Sequence, residues 1–327
     1  MKAAVLTQTN TFVIEERPMP VRGEDEVILR VRAAGVCGSD LPRVFAGKVY
    51  HFPLVLGHEF AGEIVDAADP KLIGTRAAVF PLLPCRKCAM CAEEEYPLCA
   101  DYDYYGSRRD GAFEEYLAVK VWNLIPVPDG LSLEEAAMCE PAAVARHAIS
   151  RANLKGGERV LVFGAGPIGL MLAQWAMIGG VASVAFSDID ERKLAFAEQM
   201  GFSRQAEGER YDVVIEGAGA PSAFQGAILA AEPYGRLVLM GNASRDMDLP
   251  QPVYQQILRK QLTVCGTWNS SYNSRINDWS AALEAMASGA LQAKPLITHR
   301  YSLDEVRAAF DMMGERKEFY NKVMITM

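Results

Sequence analysis

Val160-Leu-Val-Phe-Gly164-Ala-Gly166-Pro-Ile-Gly169 is the stretch of this chain on which the reading of the fold rests. Arg159–Phe163 is apolar after its first residue and predicts a buried strand. The glycines then follow the spacing G-x-G-x-x-G, and Pro167-Ile168 opens a helix that runs to Gly179. A glycine pattern alone is weak, but between a strand and a helix it has a physical meaning. Gly164 permits a tight turn, Gly166 lets a pyrophosphate approach the backbone, and Gly169 lets the helix pack on the strand. The helix N-terminus offers free N–H groups and positive dipole to phosphates. Asp188 follows at the end of the next strand, where a carboxylate would bind the adenosine ribose hydroxyls and repel a 2′-phosphate. That arrangement predicts NAD rather than NADP, with Arg192 close enough to influence the choice.

Outward from this turn the alternation continues. Strands are predicted at Ser183–Asp188, Tyr211–Glu216, Gly235–Met240 and Leu262–Gly266, and helices at Glu191–Gly201 and Pro221–Ala231. Near-continuous apolar strands alternating with helices indicate a doubly wound parallel sheet covered on both faces, an α/β fold. Residues 1–150 have another texture. Lys2–Leu6, Thr11–Glu15 and Glu26–Ala33 read as strands, followed by a glycine-punctuated, loop-heavy stretch. Ser280–Ser288 and Leu303–Met313 read as helices after the parallel sheet, and Lys322–Met327 as a closing strand.

Composition removes several classes of function. The 327 residues are half hydrophobic and carry a net charge of −8, enough core for two domains and the wrong sign for a nucleic-acid surface. The densest basic feature is Arg108–Arg109. Val160–Phe186 is long enough to span a bilayer, but its five glycines and its proline fit a strand, a turn and a helix better. The N-terminus lacks a signal-peptide h-region, and the seven cysteines are odd in number and clustered. Both features predict a cytoplasmic protein without disulfides, membrane or nucleic-acid partner.

Four of those cysteines form Cys85-x2-Cys88-x2-Cys91-x7-Cys99. Four thiolates at this spacing predict a closed tetrahedral zinc site that pins a loop of about 81–101; an iron–sulfur cluster or a redox pair is the alternative. A second constellation is spread through the β-rich half: Gly35-Val-Cys37-Gly-Ser39-Asp40, Gly57-His58-Glu59 and Glu140-Pro141. A catalytic zinc needs three protein ligands and one open position. Cys37, His58 and Glu140 would supply them, with Glu59 as the alternate or supporting carboxylate.

These motifs together resemble the zinc-containing medium-chain dehydrogenases, the group of alcohol, sorbitol and threonine dehydrogenases. The resemblance runs from Met1 to Asn321-Lys322-Val323 and includes G-V-C-G-S-D, G-H-E, the four-cysteine lobe, the glycine turn and E-P-x-x-V-x-x-H at Glu140–His147. Within the group, Cys37-Gly-Ser-Asp-Leu-Pro-Arg43 and Tyr105-Gly-Ser-Arg-Arg-Asp-Gly111 are most similar to members acting on polyol phosphates. The resemblance implies a GroES-like catalytic domain from 1–151 and 273–327 and a Rossmann NAD-binding domain from 152–272. It also implies an active site in the cleft between them, and a homodimer or homotetramer joined near Leu262–Trp268. The implied reaction is zinc-dependent oxidation of a secondary alcohol, on a polyol phosphate, a free polyol or another alcohol such as threonine. Ser39 would help carry the proton away. Many relatives continue that relay with a histidine at the position of Pro42, which cannot carry a proton. Arg108 and Arg109 are the expected phosphate donors. A non-catalytic NAD-binding protein would show eroded ligands, and a zinc-ribbon module would show a basic lobe rather than Glu93-Glu94-Glu95.

Overall fold

The computed structural model describes residues 1–243 and 245–327. It divides into two compact units, Met1–Pro141 with Ser271–Met327, and Ala142–Ser270. The dividing points stand at Pro141/Ala142 and Ser270/Ser271, against the 151/152 and 272/273 expected. The first falls inside one continuous helix, Cys139–Ala152.

The unit of Ala142–Ser270 carries a six-stranded sheet in which every pair is parallel. Its strand order is Ser203–Arg204, Ser183–Ser187, Arg159–Phe163, Tyr211–Glu216, Ala231–Leu239, Thr263–Gly266. The chain runs outward in one direction from Arg159–Phe163 and then returns to lay Tyr211–Glu216 on its other side. That reversal creates a crevice at the carboxyl ends of the two strands, the place where open parallel sheets bind ligands. Val160, Leu161 and Val162 are fully buried, as are Leu170 to Ala173 in the helix that follows. The apolar run Val160–Phe186 therefore folds as strand, helix and strand. Among the described residues no helix is long and apolar enough to cross a membrane.

The other unit is β-rich. Its spine is Glu26–Val36, which pairs with Glu59–Ala67 along most of its length. On its opposite edge Tyr116–Lys120 pairs with the first half and Lys322–Thr326 with the second. The strand is three residues longer than expected, Val36 against Ala33, because Lys322–Thr326 supplies backbone partners for Ala33–Val36. Hydrophobic alternation cannot announce a partner lying far along the chain. A second sheet holds Thr11–Glu16, Lys2–Gln8 and Leu54–Val55. Helix Asp278–Ala287 starts two residues before the expected Ser280, because Asn277 accepts from the amides of Trp279 and Ser280. The expected helix Leu303–Met313 is a 3-10 turn, Leu303–Glu305, leading into Val306–Glu315 behind a Ser302/Glu305 capping box.

Glu114 lies in this unit beside strand Lys2–Gln8, bridging to Ala3 and 4% exposed. Burial, and after it the charge of Asp110, push its carboxyl up to about 8, with Arg17 opposing. An acid with a raised folded pKa is not penalised below its unfolded value near 4.5, and loses stability as pH climbs towards 8. Glu114→Gln should therefore gain on the native protein with rising pH, by ~1.4 kcal/mol for each pH unit between the two values at most. Urea midpoints of both proteins at pH 5 and pH 9 test this. A difference between the two proteins that stays constant across that range refutes it.

Candidate active site and metal centres

The spine strand ends at Val36 and delivers Cys37 to a turn. The turn is held by Asp40, which is fully buried at the start of helix Asp40–Ala46. Asp40 Oδ2 accepts from the Cys37 amide at 3.2 Å, and Oδ1 accepts from Arg43 Nη1 at 2.6 Å. Arg43 Nη1 also donates to Ser39 Oγ at 3.1 Å. One carboxylate thus fixes the thiol, the serine and the arginine together.

Asp40 Oδ1 also lies 3.6 Å from His58 Nδ1. His58 reaches that place through Gly57, whose φ of +97° and close approach to the Phe113 ring exclude any side chain. Glu59 opens the next strand and pairs with Gly35. A Cβ at Gly35 would stand 2.2 Å from Glu59 Oε2, so this glycine makes the room in which the carboxylate turns inward. Lys322 Nζ, from the strand on the other edge, donates to Glu59 Oε2 and to the Val36 carbonyl.

Cys37, His58 and Glu59 can bring one ligand atom each to within 4.8 Å of the others. Glu140, expected as the third ligand, is outside that set. It sits in the first turn of Cys139–Ala152, where Tyr104 Oη donates to its Oε1 at 3.3 Å. Burial, and next the charge of Glu59, push Glu140 up to about 7, while Cys37 rises to about 12 through burial first and then Glu59 and Asp40. Among the buried side-chain atoms of the described residues that have no hydrogen-bond partner are Glu59 Oε1 and His58 Nδ1 of this cluster. Four acidic groups, the half-buried Cys37 and the buried Asp40, Glu59 and Glu140, stand with two cations among the described residues, Arg43 and Lys322. That imbalance, the orphaned Glu59 oxygen and the thiol–imidazole–carboxylate donor set fit a zinc ion with an open position. Asp40 beside Nδ1 would leave Nε2 of His58 to ligate and would set its tautomer.

The second centre is the cysteine lobe. The thiols of Cys85, Cys88, Cys91 and Cys99 share one cluster, with Cys85 Sγ and Cys91 Sγ 3.9 Å apart. A tetrahedron with zinc–sulfur bonds near 2.3 Å has sulfur–sulfur edges of ~3.8 Å, which this spacing meets. Cys88 is drawn down to about 6, chiefly by the backbone amide of Cys91, whereas burial lifts Cys91 to about 12. Opposed shifts in one cluster are those of thiols sharing protons where a dication would hold them all as thiolates.

In the parallel-sheet unit, Gly164 has φ +101°, and a Cβ at Gly169 would stand 1.9 Å from the Gly164 carbonyl oxygen. Nothing lies within 4 Å of a Cβ at Gly166, which leaves its face open to a ligand. Helix Pro167–Ile178 begins without a side-chain cap. Asp188 accepts from the Ala165 amide at 2.7 Å and the Asp190 amide at 2.9 Å, tying it to the glycine turn. Arg192 donates to both carboxylate oxygens of Asp190, which it holds down at about 2.

Arg108 and Arg109 are not in the metal cluster. The guanidinium that touches Ser39 is that of Arg43. Arg108 lies over the rings of Tyr102 and Tyr50, and Arg109 pairs with Asp103 at 3.4 Å. Sequence reasoning assigned no role to Asp40, Tyr104 or Lys322. Asp40 stood inside the G-V-C-G-S-D motif, but the partners of Lys322 and Tyr104 depend on long-range pairing.

The family model described as alcohol dehydrogenase GroES-like domain matches residues 23–129, and the zinc-binding dehydrogenase model matches 167–288. The chain is 35% identical to galactitol 1-phosphate 5-dehydrogenase of Escherichia coli K12, over 94% of this chain and 95% of the relative. It is 32% identical to sorbitol dehydrogenase of Bacillus subtilis, over 99% and 97%. The crystal structure of galactitol-1-phosphate dehydrogenase from Escherichia coli superposes with a TM-score of 0.93 at 33% identity, covering all of both chains.

Atomic absorption should find about two zinc ions per chain. Cys37→Ser or His58→Ala should bring the count to one and abolish turnover while dinucleotide binding persists. Cys91→Ser should also lose one, with a fall of several degrees in Tm. A full zinc count in Cys37→Ser and His58→Ala alike would sink the assignment of the first centre.

Proposed function

The chain belongs to the zinc-containing medium-chain dehydrogenases, and from that premise we propose that it oxidises a secondary hydroxyl of a polyol phosphate with NAD. That it is a zinc-dependent dehydrogenase acting on small alcohols follows from the family; the phosphate, the cofactor's identity and the residue roles are our reading. The observation that carries it is the cluster of half-buried Cys37 with buried His58 and Glu59, with an unpartnered carboxylate oxygen and too few cations. Zinc held by Cys37, His58 and Glu59 would supply acidification of a bound alcohol, and a bound dinucleotide would supply the redox chemistry.

The chain's own residues do the rest. Cys37, His58 and Glu59 present the donor atoms, and Glu140 stands beside them as a reserve carboxylate. Lys322 aims Glu59 inward by donating to its Oε2. Ser39 Oγ, held from one side by the Arg43 Nη1 donor, is oriented to accept the alcohol proton while its own hydroxyl proton passes to solvent; Arg43 donates only and fixes the hydroxyl without carrying the proton. Pro42 has no group to continue a relay, so the proton leaves from the half-buried Ser39 to solvent rather than through a histidine. On the cofactor side, Gly164, Gly166, Pro167, Ile168 and Gly169 cradle the pyrophosphate. Asp188 faces the ribose hydroxyls, and Asp190 keeps Arg192 engaged so that no free guanidinium invites a 2′-phosphate. Strand Thr263–Gly266 is an edge strand, with no strand on its outer side among the described residues, and suits pairing with a second copy, giving a homodimer or homotetramer. Clustered thiols kept for zinc suit a reducing compartment, the cytoplasm.

The relative at 35% identity favours galactitol 1-phosphate, and the sorbitol dehydrogenase favours a free polyol as the second reading. Appearance of NADH should be followed with galactitol 1-phosphate, other hexitol and pentitol phosphates and their unphosphorylated parents. Turnover restricted to phosphorylated substrates is the expected result, and turnover of free polyols alone discards the phosphate. Asp188→Ser should lower the NAD:NADP preference at least tenfold, and an unchanged ratio removes Asp188 from cofactor choice.

A further inference from the structure

Beside the cysteine lobe lies a cavity of about 790 Å3, bounded by the turn that carries Arg108. Five cations line it, Arg86, Lys87, Arg108, Arg109 and Lys120, with the carboxylates Asp25, Asp101 and Asp103 and the lobe thiol Cys85. Two of the cations are committed. Arg109 pairs with Asp103, and Lys120 Nζ lies 2.7 Å from Asp25 and 3.1 Å from Glu26. Arg86 and Arg108 have no carboxylate partner among the described residues. Each is instead laid on aromatic rings: Arg86 is 4.2 Å from the Trp122 ring centre, and Arg108 is 4.0 Å from Tyr102 and 4.7 Å from Tyr50.

Stacking fixes the plane of a guanidinium while leaving the N–H groups around its edge to bond a ligand. Arg108 spends one donor on the Tyr102 carbonyl and one on Tyr50 Oη, out of five. Two guanidinium groups oriented in this way and without a carboxylate partner among the described residues suit an oxyanion with several acceptor oxygens, such as a phosphate. We propose that this cavity is a phosphate site, in which Arg108 and Arg86 together take a phosphate monoester or inorganic phosphate. Of the arginine pair singled out in the sequence, Arg108 serves the phosphate, and Arg109 braces the turn through Asp103. The phosphate has two sources: the substrate, in which case the site rests on the polyol-phosphate reading above, or a separate phosphorylated molecule.

Inorganic phosphate titrated into the zinc-loaded protein in a calorimeter distinguishes these. Saturable binding is expected, weakened at least tenfold in Arg108→Ala and in Arg86→Ala. Arg108→Lys, which keeps the charge and the fold but loses the fork, should bind several-fold more weakly than the native protein. Phosphate that raises KM for a polyol phosphate without lowering kcat, and leaves free-polyol kinetics alone, identifies the substrate's phosphate. Phosphate that alters free-polyol turnover without competing identifies a separate ligand. If polyol phosphates are not oxidised but Arg86 and Arg108 still govern phosphate binding, the cavity stands and only the substrate reading falls. Absent binding, or binding indifferent to both arginines, overturns the site and leaves these cations as counter-charges to the thiolates.

Discussion

The contact between Lys322 and Glu59 is the constraint around which the β-rich unit is arranged. Both side chains are almost completely buried, and an ammonium and a carboxylate removed from water cost several kcal/mol each unless they meet. They can meet only if Lys322–Thr326 pairs along the second half of Glu26–Val36, and if Glu59 opens the strand on the opposite edge. They also need Gly35 between them, since any side chain there would occupy the place of the Glu59 carboxylate. Register, strand order and one glycine are thus fixed by a single pair. Cys37 follows from the same register, one residue past the end of the spine strand.

Around that pair the charges are organised to be one dication short. Burial penalises the thiol of Cys37 and the carboxyl of Glu140, and neighbouring anions add to the penalty. Asp40 does not join the acceptors facing the centre, because Arg43 and the Cys37 amide occupy it. Its work is orientation: it fixes the thiol's turn, stands next to His58 and, through Arg43, holds Ser39. The hydrogen bonds of Asp40, Arg43 and Lys322 hold the surroundings of the cluster, while Glu59 Oε1 is left without a partner.

Much of this was legible in the sequence, and what was not has a common cause. The glycine turn, the parallel strands and the cysteine lobe are local: G-x-G-x-x-G between a strand and a helix, and four cysteines within one loop, carry their geometry with them. Cys37, His58 and Glu59 were named from motif spacing. Glu140 was also named from motif spacing, but that Gly35 stands opposite Glu59 and that Tyr104 donates to Glu140 depends on long-range packing the motifs do not carry. Lys322 read as an ordinary residue of a closing strand, because its partner lies 263 positions earlier (322 − 59). Arg108 and Arg109 looked alike in sequence. Their environments separate them, one over tyrosine rings and the other against Asp103.

The order in which the chain is made gives the split β-rich unit a temporal side. Glu59 leaves the ribosome 263 residues ahead of Lys322 (322 − 59), with the whole unit Ala142–Ser270 synthesised between them. At roughly 5–20 residues per second, that is on the order of ten to fifty seconds. For that interval the spine strand has an unpaired edge, and Glu59 has no lysine to accompany it into the interior. The parallel-sheet unit, continuous in sequence, can be complete within it. The contact that positions Glu59 therefore waits for the last strand to be made, whereas the four cysteines of the lobe are all in place by residue 99.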